Sequence, residues 1–176
     1  MAGLSDLNIS AVSMEGDREL HTLLQTNFLE TQPRISPDGK WIAYMSDESG
    51  RFEIYVRPFP DVDKGKRQVS TSGGREPKWS ADGRELFYRN GDEIMAVSLR
   101  TEPALSLETP AVLFRGVFDF ARYDQNSMWD VQPDGKRFLM IKPAEMLYDE
   151  SATEPWGKIN IVLNWFEELK ERVPVE

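Results

Sequence analysis

Gln32-Pro33-Arg34-Ile35-Ser36-Pro37-Asp38-Gly39-Lys40 returns as Glu76-Pro77-Lys78-Trp79-Ser80-Ala81-Asp82-Gly83-Arg84, and again as Met128-Trp129-Asp130-Val131-Gln132-Pro133-Asp134-Gly135-Lys136. The Asp-Gly pairs are spaced 44 and then 52 residues apart, close to the length of a four-stranded propeller blade. Each Asp-Gly supplies the positive φ that a tight hairpin asks for. An apolar run follows each one: Trp41-Ile42-Ala43-Tyr44, Leu86-Phe87-Tyr88 and Phe138-Leu139-Met140-Ile141. Their apolarity is continuous rather than alternating, which predicts strands covered on both faces, as when one sheet is sandwiched between two others.

Outward from these second strands, third strands are expected at Glu53–Val56, Glu93–Leu99 and Ile159–Trp165, after the Ser49-Gly50 turn, the Asn90-Gly91 turn and a longer insertion. Fourth strands are expected at Arg67–Thr71 and Ala111–Phe114, whereas the last unit runs into a short helix over Phe166–Arg172, ended by Pro174. At the other end, Ile9–Met14 repeats the pattern of Ile94–Leu99, and Leu20–Leu24 falls where a fourth strand belongs. The expected architecture is all-β: propeller blades, about three of four strands each, half of a six-bladed ring, plus a C-terminal helix. Residues 1–30 contribute part of a split blade, 31–73 and 74–120 one blade each, and 121–176 the last blade. That order makes thirteen strands where three blades need twelve.

The Ser36–Tyr44 stretch resembles the TolB-type, WD-repeat-like β-propeller family, whose blades carry Pro-x-Trp/Phe-Ser-Pro-Asp-Gly-Lys. Residues 48–60, 68–88 and 159–170 further resemble the C-terminal propeller of bacterial proteins that begin with a serine/threonine kinase domain. Ile35, Ala81 and Val131-Gln132 depart from the signature, the third copy most. Kinase chemistry is excluded, because there is no Gly-rich phosphate loop, no His-Arg-Asp loop and no Asp-Phe-Gly. The resemblance implies the sensory or binding part of such a protein.

The 176 residues carry a net charge of −9, one histidine and no cysteine. Phosphate backbones are bound by clustered Lys and Arg, so nucleic acid is not an expected partner. Without cysteine there is no disulfide framework or thiolate metal site. Met1 to Ser13 lacks an export pattern and no apolar run is long enough to span a membrane, so as written the chain is expected to be cytoplasmic, with no membrane partner; the family it resembles also admits an extracytoplasmic setting.

Three blades leave apolar blade faces and a sheet edge uncovered, so a homodimer closing a six-bladed ring is expected. Residues ahead of each innermost strand would line the channel: Glu30, Thr31 and Gln32; Arg75 and Glu76; Asp124, Gln125 and Asn126. Two functions follow. One is a non-catalytic module that binds a protein or peptide. The other is a metal-dependent, phosphotriesterase-like hydrolase of esters or phosphoesters, in which Glu30, Glu76, Asp124 and Asn126 hold a divalent cation such as calcium. Glu76 and His21 are its catalytic candidates, although a lone histidine in a strand is more often structural. Asp61–Gly65 lacks the length and closing glutamate of an EF-hand and reads as a solvated loop. The insertions 115–126 and 142–157 supply candidate binding loops through Phe118, Phe120, Arg122, Tyr123, Tyr148 and Trp156.

Overall fold

The recurring Ser-x-Asp-Gly unit folds through its own side chains. In the computed structural model, which describes residues 7–101, 104–118, 129–141 and 159–161, Gly39 is at φ 70° and its N–H donates to the Ser36 carbonyl at 2.9 Å. Ser36 Oγ donates to Asp38 Oδ1 at 2.5 Å and accepts from Trp41 N–H at 3.0 Å, while Asp38 Oδ1 also accepts from Lys40 N–H at 3.1 Å. The second copy repeats this with Ser80, Asp82 and Gly83: 2.7 Å for the hydroxyl to the carboxylate and 3.0 Å for Arg84 N–H to Asp82 Oδ1. Only the glycines take positive φ; the aspartates act as side-chain acceptors, so each turn is a wider loop than a two-residue hairpin. The third copy has Gln132 in the serine's place; it keeps the Lys136 N–H to Asp134 bond at 2.9 Å, and Arg137 reaches Gln132 Oε1 at 3.2 Å.

These turns join antiparallel strands into sheets. Strands β1 (Ile9–Val12) and β2 (Leu20–Leu24) pair with each other. A four-stranded sheet runs β3 (Glu30–Ile35), β4 (Trp41–Ser46), β5 (Glu53–Pro58) and β6 (Arg67–Gln68). A third sheet holds β7 (Arg75–Trp79), β8 (Glu85–Asn90) and β9 (Glu93–Arg100), with β10 (Ser106–Leu107) and β11 (Ala111–Arg115) both pairing with β9. A separate sheet is formed by β12 (Trp129–Val131), β13 (Phe138–Ile141) and β14 (Ile159–Ile161). The chain divides into two compact units, Met1–Arg115 and Gly116–Glu176, and the last sheet belongs to the second. The protein is an all-β chain of β-propeller blades. Among the described residues there are fourteen strands; β10, two residues with no periodicity to read, is the strand beyond the expected thirteen. The helix expected over 166–172 lies outside the described residues, as does most of the third strand expected at 159–165.

In the first unit, both-face burial of the second strands holds. Ala43 and Met45 of β4 pair with Val56 and Ile54 and turn toward the β7–β11 sheet, packing with Leu86, Tyr88, Met95, Val97 and Leu99. Ile42 and Tyr44 turn the other way and pack with Tyr55, Val62, Ile9 and Leu24. One alternating strand thus serves two interfaces, and burying each such aliphatic side chain contributes on the order of 1.5–3 kcal/mol. Tyr44 and Tyr55 stack at 5.8 Å, and Arg57 Nε donates to Tyr44 Oη at 2.9 Å. Burial pushes the hydroxyls of Tyr44 and Tyr88 up to about 12, so both stay neutral at physiological pH.

The connection between the two full blades is fixed by a buried carboxylate. Glu53, whose side chain is 0% exposed, accepts from Arg51 Nε at 2.8 Å, from Gly73 N–H at 3.0 Å and from Ser70 Oγ. Ser70 Oγ in turn accepts from Ile54 N–H at 2.8 Å. This pulls residues 70–73 out of the ladder, which is why β6 stops at Gln68 rather than at the expected Thr71. Gly74 follows where a Cβ would meet Ser70 Oγ and lie 2.8 Å from Ile54 Cγ1.

Candidate functional site

The inner strands β3 and β7 begin alike. Gln32 sits at φ 55° and Glu76 at φ 57°, each followed by proline, and each lies in a register shift of its ladder, between Thr31 and Arg34 and between Arg75 and Lys78. A non-glycine residue in the left-handed region costs roughly 1–3 kcal/mol and persists only where its surroundings over-determine it. Here the bulge frees a backbone N–H from the ladder, and proline, with no N–H to lose, follows. The freed Glu76 N–H donates to Gln32 Oε1 at 2.9 Å, tying one blade to the next. Trp79 Nε1 adds a second tie to the Arg34 carbonyl at 2.9 Å.

Around these ties the polar groups are part-buried. Glu76 takes Arg89 Nε on Oε1 at 3.0 Å, a pair whose side chains are 15% and 3% exposed for Arg89 and Glu76. Its Oε2 is buried without a partner, as are Glu30 Oε2 and Thr31 Oγ1. Glu30 Oε1 accepts from Thr26 Oγ1. Burial raises the Glu30 carboxyl above its ordinary value against that hydrogen bond, and the Glu48 charge adds to the rise. Arg75 lies over the Phe52 ring at 4.3 Å.

The expected channel residues are therefore the first residues of β3 and β7 rather than residues ahead of them. Glu30, Thr31, Gln32, Arg75 and Glu76 are brought to corresponding ends of neighbouring inner strands; Asp124, Gln125 and Asn126 lie outside the described residues. Among the described residues no group of three His, Cys, Asp or Glu side chains is arranged to hold a metal ion. His21 is exposed on β2, opposite Ala11. Of the binding-loop residues Phe118 is described and half-buried; Phe120, Arg122, Tyr123, Tyr148 and Trp156 lie outside the described residues. Asp61–Gly65 folds as a 3-10 turn over Val62–Lys64 with Val62 buried and Lys64 Nζ 2.6 Å from Asp61 Oδ2. Sequence reading did not find a cavity of about 260 Å³ lined by Trp41, Val56, Pro58, Lys64, Arg67 and Leu105; its walls come from separate strands and no motif joins them. Among the described residues no helix is long and apolar enough to cross a membrane.

No family model matches the chain. Dipeptidyl aminopeptidase BI from Pseudoxanthomonas mexicana is 38% identical over 79 residues, 44% of this chain and 11% of that protein. Among solved structures, oligogalacturonate lyase from Vibrio parahaemolyticus superposes with a TM-score of 0.51 at 19% identity, over 77% of this chain and 36% of that one. TolB from Acinetobacter baumannii gives 0.43 at 16% identity, over 79% and 44%. The chain thus spans less than half the length of each of these proteins. Its structural neighbours are TolB and related β-propeller proteins.

Proposed function

We propose that the chain is a non-catalytic propeller module that binds a protein or peptide partner at the inner-strand ends, and that it works as a homodimer closing a six-bladed ring. The observation that carries the binding reading is the pair of strained, non-glycine bulges at Gln32 and Glu76, because backbone strain of this kind clusters at binding sites. They present amide, carboxylate and guanidinium groups of varied hydrogen-bonding character at neighbouring strand ends. That variety suits the mixed donors and acceptors of a polypeptide. The resemblance to propellers that follow a kinase domain fits the same role, a sensor or docking module within a larger protein. Dimerisation would cover the faces that leave Val12 and Leu20 about half or more exposed, at 50% and 67%.

A peptide array probed with the purified chain tests this reading. Binding should fall when Gln32→Ala or Arg75→Glu is introduced and hold when Lys64→Glu is introduced at the distant 3-10 turn. Equal losses at both places would overturn it.

The rival is the metal-dependent hydrolase acting on esters or phosphoesters. What speaks for it is that Glu30 and Glu76 each keep one buried carboxylate oxygen without a partner; against it, among the described residues no three acidic or histidine side chains converge on one point, whereas calcium takes roughly six to eight oxygens. A hydrolase panel run with and without chelator separates the two; chelator-sensitive turnover lost in Glu76→Gln would establish the rival.

A further inference from the structure

The cavity of about 260 Å³ lies on the sheet face through which the two full blades pack, and the strand registers explain its lining. Val56 and Pro58 stand two apart on β5 and share that face. Their cross-strand partners are Arg67 on β6 and Trp41 on β4, and partners in an antiparallel pair point the same way. Leu105, just ahead of β10, packs against the same core from the side of the second sheet. Lys64 and Lys66, on the way from the 3-10 turn into β6, line it as well.

The ionisable side chains of the lining are Lys64, Lys66 and Arg67, all cations, and no acidic side chain lines the cavity. That is a local inversion in a chain whose net charge is −9. Two of the cations are held from outside the cavity. Lys64 Nζ is 2.6 Å from Asp61 Oδ2, and Lys66 Nζ is 2.6 and 2.8 Å from the two Glu48 oxygens and 5.5 Å from the centre of the Tyr55 ring. Arg67 is exposed, and among the described residues its side chain has no ion-pair or hydrogen-bond partner. Its planar guanidinium is suited to gripping an oxyanion at two points.

We propose that this cavity is a binding site for a small organic oxyanion, a carboxylate or phosphate head carried on a compact apolar body. The body lies against Trp41, Val56, Pro58 and Leu105, and the head meets Arg67 with Lys64 and Lys66 beside it. An apolar wall with a few convergent polar groups is the usual build of small-molecule sites, and 260 Å³ falls just under their range of roughly 300–1,000 Å³. Charge selects the guest: an anion relieves the mutual repulsion of three neighbouring cations, and a neutral molecule of the same shape does not. None of the lining residues belongs to the inner-strand ends invoked above, and the site needs neither the peptide nor the homodimer.

The test titrates the isotopically labelled full chain with 3-phenylpropionate, with its uncharged counterpart 3-phenylpropionamide and with inorganic phosphate, and follows amide and indole N–H shifts by NMR. Saturable shifts across 64–67 and 105–107 and at the Trp41 indole are expected for phenylpropionate, with a Kd of about 1 mM or tighter. The amide and free phosphate should each bind about tenfold more weakly or less. Arg67→Glu, at an exposed position, should weaken phenylpropionate binding by about tenfold with an unchanged melting curve; Lys64→Glu, in the loop, should weaken it in the same direction, and Arg67→Lys should retain most of it. No saturation up to about 10 mM, equal affinity for acid and amide, or Arg67→Glu binding like wild type overturns the proposal. Shifts confined to 30–34 and 75–79 overturn it too. Gln32→Ala, which is expected to lower peptide binding, should leave phenylpropionate binding unchanged, whereas Lys64→Glu should do the reverse, so failure of either reading is seen on its own.

Discussion

Glu53→Ala removes the acceptor that three donors share. Two of them, Ser70 Oγ and Gly73 N–H, lie in the connection between blades, and the third, Arg51, is 62% exposed. The exposed arginine regains water, so its loss is worth at most about 1 kcal/mol. The other two are bonds to a buried charged group, worth about 1.5–3 kcal/mol each, and their donors are left facing a vacated space. The expected loss is about 3–7 kcal/mol, a large share of the roughly 5–15 kcal/mol typical of a domain. Urea unfolding followed by tryptophan fluorescence measures it: with slopes of about 1–3 kcal/mol/M, a loss of about 3 kcal/mol lowers the midpoint by roughly 1–3 M. Glu53→Gln keeps one acceptor oxygen and should fall between wild type and Glu53→Ala. A Glu53→Ala midpoint within error of wild type would refute the idea that this carboxylate fixes the joint between blades.

Gly74→Ala places a methyl group against Ser70 Oγ and Ile54 Cγ1 and should destabilise by about 1–3 kcal/mol, read from the same urea curves, while Gly65→Ala, whose Cβ meets nothing, should change stability far less. Trp79→Phe deletes the Nε1 bond to the Arg34 carbonyl and keeps an aromatic ring there; a loss of about 1 kcal/mol is expected, with exchange at Arg34 and Ile35 speeding up first. Glu30 has a raised carboxyl pKa in the fold, so the folded state holds its proton more tightly than the unfolded chain and stability falls as pH rises from the ordinary glutamate range through the raised value; Glu30→Gln should flatten that part of the stability–pH profile, and an unchanged slope would contradict the assignment. Asp38 and Asp82 run the other way: the Ser36 and Ser80 hydroxyls lower their carboxyls, so their contribution is lost as pH falls through those lowered values, and the double variant Asp38→Asn/Asp82→Asn should show a shallower acid limb.

The features legible in the sequence were those set by neighbours along the chain. The Ser-x-Asp-Gly turns fold from bonds spanning two to five residues, and the continuous apolarity of Trp41–Tyr44 and Leu86–Tyr88 follows directly from burial on both faces. The likeness of Ile9–Met14 to Ile94–Leu99 extended even to a shared skip in register. What was not legible depends on partners far away in sequence. Two of the three donors to Glu53 come from 17 and 20 residues downstream, and the local one, Arg51, does not by itself signal burial. Gln32 and Glu76 look like ordinary polar residues before proline, and the bond that uses the turned-out Glu76 N–H goes to a side chain 44 residues away. Strand β10 is too short to carry a pattern. The inner-strand ends could be placed only to within a residue or two, because a bulge there shifts the register without changing composition.

The claim on which the functional account rests is that the blades of one chain leave inner-face surface that a second chain covers. Static light scattering coupled to gel filtration, over about 1 to 100 µM at moderate salt, tests it most directly. The account predicts a molar mass twice that of the 20.2 kDa chain, falling toward one chain on dilution. A mass of one chain at every concentration would contradict it.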